Sequence, residues 1–417
     1  MPGPPESTAF RSLYFSRVWL ALAALVTLIG IVASNQSIAL LGVLTMTSAG
    51  VSRLWNWHAL TGVRIDRSMD SDRAFPGDIV SLTLVATNRK PVPVVSLQIN
   101  EELSEGLVPQ DLTTTIDGTS GRRHLHLRSS LRAYERRSWK IPLECRTRGV
   151  HRIGPVSART GDPFGFFAAR VSFPAFQELL VYPRVHSLDQ FPFPARFPLG
   201  DHRVARHIVS DPLRVIGIRD YRPEDPFRSI HWKATARARG IQIKVQEPVT
   251  TPSLMILLNL DTFDYFWEGL DLASAEECIE AAASIAMWGL DLRYSVGLRT
   301  NGLISGSDQP LRVPVGRGSE QTSFLLTGLA RVGAFSTVSF AHAFALEATR
   351  LPLGCTVVVV TSMMSDDIES QLASYVSRGV GTVLVPVGKV IPSVLSGLTV
   401  VNWQDLKAPV GREHRAA

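Results

Sequence analysis

Cysteine is scarce in this chain: Cys145, Cys278 and Cys355 are the only three in 417 residues. An odd number, widely spaced, excludes a disulfide framework and offers no metal-ligand spacing, so they fit small buried residues in a reducing compartment. No aromatic platform recurs along the chain, and its basic residues gather on no single helix face. Nucleic acid is therefore not an expected partner. Disorder is excluded by a hydrophobic content of 45% with 31 glycines and 26 prolines, a globular and loop-rich composition. One stretch lacks charge altogether, from Val18 to Ser52.

That stretch is too long for one span of about 20 residues and breaks at Ser34-Asn35-Gln36-Ser37. It predicts two short apolar helices, near Val18–Ala33 and Ile38–Val51, forming a transmembrane hairpin. Arg11 and Arg17 flank one end and Arg53, Arg64 and Arg67 the other, while the turn carries none. The positive-inside bias then puts both ends, and the bulk of the chain, in the cytoplasm of a multi-pass membrane protein. Trp19, Trp55 and Trp57 suit an interfacial belt. A signal peptide cleaved near Val32-Ala33-Ser34 is the rival, and the second apolar segment, which a secreted domain would not need, speaks against it.

The net charge of +6 is unevenly spread. Residues 1–250 carry 32 Lys+Arg against 21 Asp+Glu, a balance of +11, and residues 251–417 carry 11 against 16, a balance of −5. A basic half beside a membrane segment suits an anionic inner leaflet. The excess of Arg over Lys also fits a simple effect of genomic base composition.

After the hairpin (residues 1–60), residues 61–185 read as β. Strands are expected at Val63–Ile65, Ile79–Asn88, Val94–Glu101, His124–Leu127, Glu135–Glu144 and Val150–Val156, with turn signals between them. That spacing suggests an immunoglobulin-like β-sandwich. Asp162-Pro163-Phe164-Gly165 reads as a turn closing the domain. Residues 251–417 alternate instead. Ser253–Leu260 is a near-continuous apolar run, as a parallel strand buried on both faces requires. Helices near Leu272–Leu290, Ser319–Ala330 and Asp366–Ser377 alternate with strands at Tyr294–Arg299, Thr356–Val360 and Thr382–Val387. The alternation predicts a doubly wound α/β sheet, and thus a multi-domain α+β chain.

Between them, residues 186–250 hold a linker and the densest stretch of the sequence, Ile216 to Arg237. It packs Arg219, Arg222, Arg228, Arg237, Lys233, Asp220, Glu224, Asp225, His231, Tyr221, Phe227 and Trp232. Loops carry such density where many charge-assisted hydrogen bonds form together. Asp225 followed by Pro226 predicts a helix start, and a helix to about Arg239 would align Ile230, Ala234 and Ala238 as an apolar stripe. Arg219, Tyr221, Asp225, Arg228, His231, Trp232, Lys233 and Arg237 are the expected functional residues, in one of three roles. They form an internal clasp in which the acids pair with arginines and fix the β-domain to the C-terminal domain, or a docking surface for another protein. Alternatively His231 is a general acid or base oriented by Asp225 or Glu224.

The order Arg-x-Tyr, an acidic turn, Arg-x-Ile-His-Trp-Lys and Ala-Arg resembles the signature of the bacterial membrane family called domain of unknown function 58. Glu224 stands where that family usually has Gly, which predicts a different turn shape. The resemblance implies a von Willebrand factor A-like C-terminal domain and association with AAA+ ATPases of the MoxR kind in envelope-related assembly. A-type domains often hold a divalent ion through Asp-x-Ser-x-Ser and a later Asp. Here Phe263 and Tyr265 occupy the serine positions after Asp261, and Thr361-Ser362 stands where Thr-Asp is expected. Asp264, Asp366 and Asp367 do not follow the pattern. No metal or other cofactor is therefore expected. The sequence points to a membrane-anchored interaction or scaffold protein. The alternatives are an enzyme centred on His231, acting on an envelope substrate, and a metal-dependent adhesion module.

Overall fold

The computed structural model describes residues 6–10, 17–110, 113–161, 168–188, 191, 210–222, 225, 227–238, 240–248, 252–263, 269–336, 338–352, 354–388 and 396–407. The turn expected at 162–165, Glu224, Asp264 and Tyr265 lie outside these residues. The chain divides into two compact units, Met1–Arg184 and Val185–Ala417.

The first unit opens with strand β1 (Glu6–Phe10) and two helices, α1 (Arg17–Val32) and α2 (Gln36–Ala59). Asn35 caps α2, its side-chain oxygen accepting from the Ser37 and Ile38 N–H groups at 3.1 and 3.3 Å. The helices meet at Gly30 and Gly42, both buried. A Cβ at Gly30 would strike the Ala39 backbone, and one at Gly42 would strike Thr27. Around this seam Leu25, Leu28, Ile31, Leu40, Leu41 and Leu44 are all more than half exposed. A helical hairpin is thus present where the uncharged stretch predicted one. Yet no helix among the described residues is long and apolar enough to cross a membrane. The 16 residues of α1 rise about 24 Å against roughly 30 Å of hydrocarbon, and α2 runs on through Arg53, Asn56 and His58.

Eleven further strands follow. They are β2 (Val63–Met69), β3 (Arg73–Ala74), β4 (Ile79–Asn88), β5 (Val94–Leu103), β6 (Leu107–Pro109), β7 (Thr114–Ile116), β8 (Arg123–Leu131), β9 (Arg136–Cys145), β10 (Gly149–Gly161), β11 (Ala168–Phe173) and β12 (Gln177–Val181). One sheet runs β1-β11-β10-β5-β8-β7, with β12 and β3 attached through β10, and the other runs β2-β4-β9-β6. Residues of both sheets share one core: Leu82 and Leu84 of β4 and Ile141 and Leu143 of β9 with Leu97 and Ile99 of β5 and Leu125 of β8. In β4, side chains alternate between core and surface, as period two requires.

Two of the arginines assigned to the membrane flank also have partners within this fold. Arg64 pairs with Asp66 within β2 at 2.7 Å. Arg67 is buried, its Nη2 lying 2.5 Å from Glu101 Oε1 and its Nη1 donating to the Ile153 carbonyl at 2.9 Å. Both still lie within eight residues of the end of α2, so the charge flank on that side keeps Arg53, Arg64 and Arg67.

The second unit carries a ribbon of β13 (Ser210–Asp220) and β14 (Gln242–Pro248) and a seven-stranded sheet. The sheet comprises β15 (Ser253–Leu258), β16 (Ser295–Ile304), β17 (Pro310–Gly316), β18 (Val332–Ser336), β19 (Cys355–Thr361), β20 (Thr382–Pro386) and β21 (Thr399–Val400). Its order is β17-β16-β15-β19-β20-β21. β16, β15, β19, β20 and β21 are parallel, whereas β17 and β18 pair antiparallel with β16. Every residue of β19 is buried, because helices cover both faces. Ala275, Cys278, Ile279, Ala282, Ile285 and Ala286 of the long helix over Leu272–Asp291 are buried, as the sequence stripe predicted. Asp271 caps that helix, accepting from Ala273 N–H at 3.0 Å. On the other face Met255, Leu257, Val357 and Val359 pack with Phe340, Phe344, Leu372 and Tyr375. The first strand, β15, is central, and chain order reverses between β15 and β19.

Candidate functional site

Two places in the second unit gather polar groups. One is the reversal point of the sheet, where open α/β folds bind ligands beyond the carboxyl ends of the strands. There Asn259 donates to Thr361 Oγ1 at 3.0 Å, and Asn301 donates to Asn259 Oδ1 at 3.2 Å. The Leu260 N–H donates to Asn301 Oδ1 at 3.0 Å, and the Asp261 N–H to Asn259 Oδ1 at 3.0 Å. Asn259, Asn301 and Thr361 are fully buried. Asp261 accepts a hydrogen bond from Ser336. A divalent ion needs several converging oxygens with free lone pairs. These amides are turned on each other, and Asp261, the single carboxylate among the described residues of this loop, already has a donor. The described residues therefore do not fit a divalent ion. Among the described residues no group of three or more His, Cys, Asp or Glu could hold a metal. Phe263 is exposed, and Asp366 and Asp367 lie in the first turn of the helix over Asp366–Ser377, behind the cap Ser365.

The other place is the charge-dense ribbon. Asp220 ends β13, and Gln242 opens β14 opposite it. Arg219 grips both oxygens of Asp225, at 2.6 and 2.5 Å, and the Arg222 N–H donates to the same carboxylate at 2.9 Å. The guanidinium is the main reason the Asp225 carboxyl sits below its ordinary range. Gln242 donates to Asp220 Oδ1 at 2.5 Å, and its N–H donates to Thr235 Oγ1 at 3.0 Å. Tyr221 stacks near Phe227, ring centroids 6.1 Å apart.

The helix expected from Asp225 to Arg239 is not formed. Asp225 cannot cap it, because its carboxylate is taken by Arg219 and Arg222. Ile230 bridges to Ile243, and the His231 N–H donates to the Gln242 carbonyl at 2.8 Å, so the backbone stays tied to β14. A 3-10 turn over Phe227–Ser229 leads instead to a short α3 (Trp232–Thr235). His231 is its cap: Nδ1 accepts from the Ala234 N–H at 3.1 Å. Of the apolar stripe only Ile230 is buried, and Ala238 is exposed.

The eight expected residues therefore divide. Arg219 and Asp225 form the clasp, but within the ribbon. His231 is structural through Nδ1. Trp232 is 70% exposed, Lys233 and Arg237 are exposed, and Phe227, not among the eight, is 73% exposed. Tyr221 is half-buried, and Arg228 is in the 3-10 turn. An open cleft of about 420 Å³ lies beside α3, lined by Ile218, His231, Lys233, Ala234, Arg237, Ala238 and Gln242. Gln242 was missed from sequence, although a lone amide between Ile241 and Ile243 in a period-two strand was a usable signal. Asn259 and Asn301 were missed as well.

Residues 217–400, covering this ribbon and most of the sheet, match the family model described as "Protein of unknown function DUF58". This region belongs to that family. The "Uncharacterized protein YeaD" of Bacillus subtilis (strain 168) is 26% identical over 240 residues, which cover 55% of this chain and 53% of that protein. The chain thus spans about half the length of the curated relative it matches. Among solved structures, a Listeria innocua beta-glucosidase shows 13% identity and a TM-score of 0.19 over 28% of this chain and 16% of that one. A cohesin module from Clostridium perfringens shows 12% identity and a TM-score of 0.22 over 29% and 97%. Likeness this slight carries no argument, and the DUF58 ribbon is read from its own geometry.

Proposed function

We propose that this DUF58 protein is a membrane-anchored interaction protein that docks a partner on the α3 face of its ribbon, and that it is not an enzyme. One observation carries the reading: Trp232 and Phe227 are about 70% exposed beside the exposed cations Lys233 and Arg237. Exposed aromatics and arginine are the residues that anchor protein interfaces. Among the described residues the nearby acids are already held, Asp225 by Arg219 and Asp220 by Gln242, and the Nδ1 of His231 serves as a helix cap. A catalytic base needs that nitrogen, or a carboxylate orienting it.

The hairpin is the anchor. Its small-residue seam at Gly30 and Gly42 lets two helices approach closely while their leucines and isoleucines face outward, an arrangement suited to lipid. Arg11, Arg17, Arg53, Arg64 and Arg67 favour a cytoplasmic location for both ends. The parallel sheet, with its first strand central, supports an A-type domain whose strand edge works without a metal. A MoxR-type AAA+ ATPase is the partner implied by the family resemblance, and envelope-related assembly is the setting. Co-purification with such an ATPase from detergent-solubilised membranes tests the reading. Retention by the parent and loss by Trp232→Ala supports it, and equal retention by both removes the ribbon from the interaction.

A further inference from the structure

The chemistry of the docked segment can be read from the cleft beside α3. Lys233 and Arg237 stand one helical turn apart, and the chain still turns helically between them: the Ala238 N–H donates to the Ala234 carbonyl at 3.0 Å. Both line the cleft. Among the described residues no carboxylate pairs with either, and no carboxylate lines the cleft. His231 adds a third donor. With Nδ1 accepting from the Ala234 N–H, the neutral ring carries its proton on Nε2. Gln242 and the apolar atoms of Ile218 and Ala234 complete the wall.

We infer that this cleft receives a carboxylate side chain of an acidic partner segment, held between Lys233 and Arg237, with Trp232 covering an apolar neighbour. The inference rests on the docking reading above and specifies its partner. A concave notch with a planar guanidinium on its rim suits an inserted carboxylate, which Arg grips in bidentate fashion.

Unbiased selection of a random-peptide display library on the full chain in detergent tests the idea, with the K233E/R237E double variant as counter-selection. Both side chains are exposed, and an unchanged melting curve confirms that the variant folds. Peptides that bind the parent should be rich in Asp and Glu beside apolar residues. Their affinity should fall roughly ten-fold or more on the double variant and weaken with added salt. No enrichment, enrichment without acids, or acidic peptides that bind the variant equally well would each overturn the inference. So would binding to phosphatidylglycerol vesicles lost in the variant while no acidic peptide is selected, which assigns the cations to lipid. If acidic selection fails but Trp232→Ala still releases the ATPase, the docking reading stands and only the carboxylate assignment falls. If Trp232→Ala releases nothing, the docking reading itself falls.

Discussion

The reversal point of the sheet and the ribbon both gather polar side chains and use them in opposite ways. At the reversal point Asn259, Asn301 and Thr361 are buried and turned on one another, so these three side chains are spent on the fold itself. In the ribbon the internal bonds of Arg219, Asp225, Gln242 and His231 hold a scaffold, and that scaffold presents Trp232, Lys233 and Arg237 to solvent. Self-satisfaction inside thus marks structure, and the proposed docking surface is the set of neighbours that the ribbon's internal bonds leave exposed.

The buried side of this contrast should respond to mutation most. Arg67→Ala in the first unit leaves Glu101 buried without its partner, and a broken buried pair costs about 3–5 kcal/mol. Melting of that unit should drop sharply, and an unchanged curve would show the pair to be hydrated. Asn301→Ala removes the acceptor of the buried Leu260 N–H, at a cost of about 1–3 kcal/mol, a fall of several degrees in the second unit. A melting point within error of the parent would mean that water replaces the amide.

Glu101 also gives a pH test. Burial pushes its carboxyl from 4.5 up to about 7, against the pull of Arg67. A raised carboxyl pKa means the folded state binds more protons between those values. Its contribution to stability is therefore present below about 4.5 and lost as pH rises through about 7. Glu101→Gln should flatten the fall in melting temperature across that window, and a parallel fall in both proteins would contradict the shift. Next, millimolar Mg²⁺ should leave the melting of the second unit unmoved, and a rise abolished by Asp261→Ala would reopen the strand edge as a metal site. The smallest effects belong to the ribbon surface: Arg237→Ala and Trp232→Ala should change stability by no more than about 0.5 kcal/mol. A larger loss would return these residues to the role of an internal clasp.

Much of the framework was legible because it follows from periodicity. The strands Ile79–Asn88 and Cys355–Thr361 and the helix over Asp366–Ser377 stand where residue patterning and the alternation of strands with helices put them, within a residue or so. The ribbon was legible as a place but not as a conformation. Asp225-Pro226 is a sound local helix start, and it lost to two contacts made by the ribbon strands on either side of it, Arg219 on the carboxylate and β14 on the His231 backbone. The second role of Arg67 was hidden for a similar reason. Its position near an uncharged stretch said membrane flank, and its partner Glu101 lies on a different strand and in a different sheet. Asn259 and Asn301 lie 42 residues apart and could not be paired without the sheet order.

The most direct test sets the two places against each other in living cells. A photoreactive residue is placed at Trp232 in the ribbon or at Phe263, which is exposed just past the strand edge. The account predicts a discrete adduct with another protein from position 232, lost in the K233E/R237E background, and none from position 263. Adducts from position 263 and none from 232 would contradict it, moving the working surface to the end of the sheet.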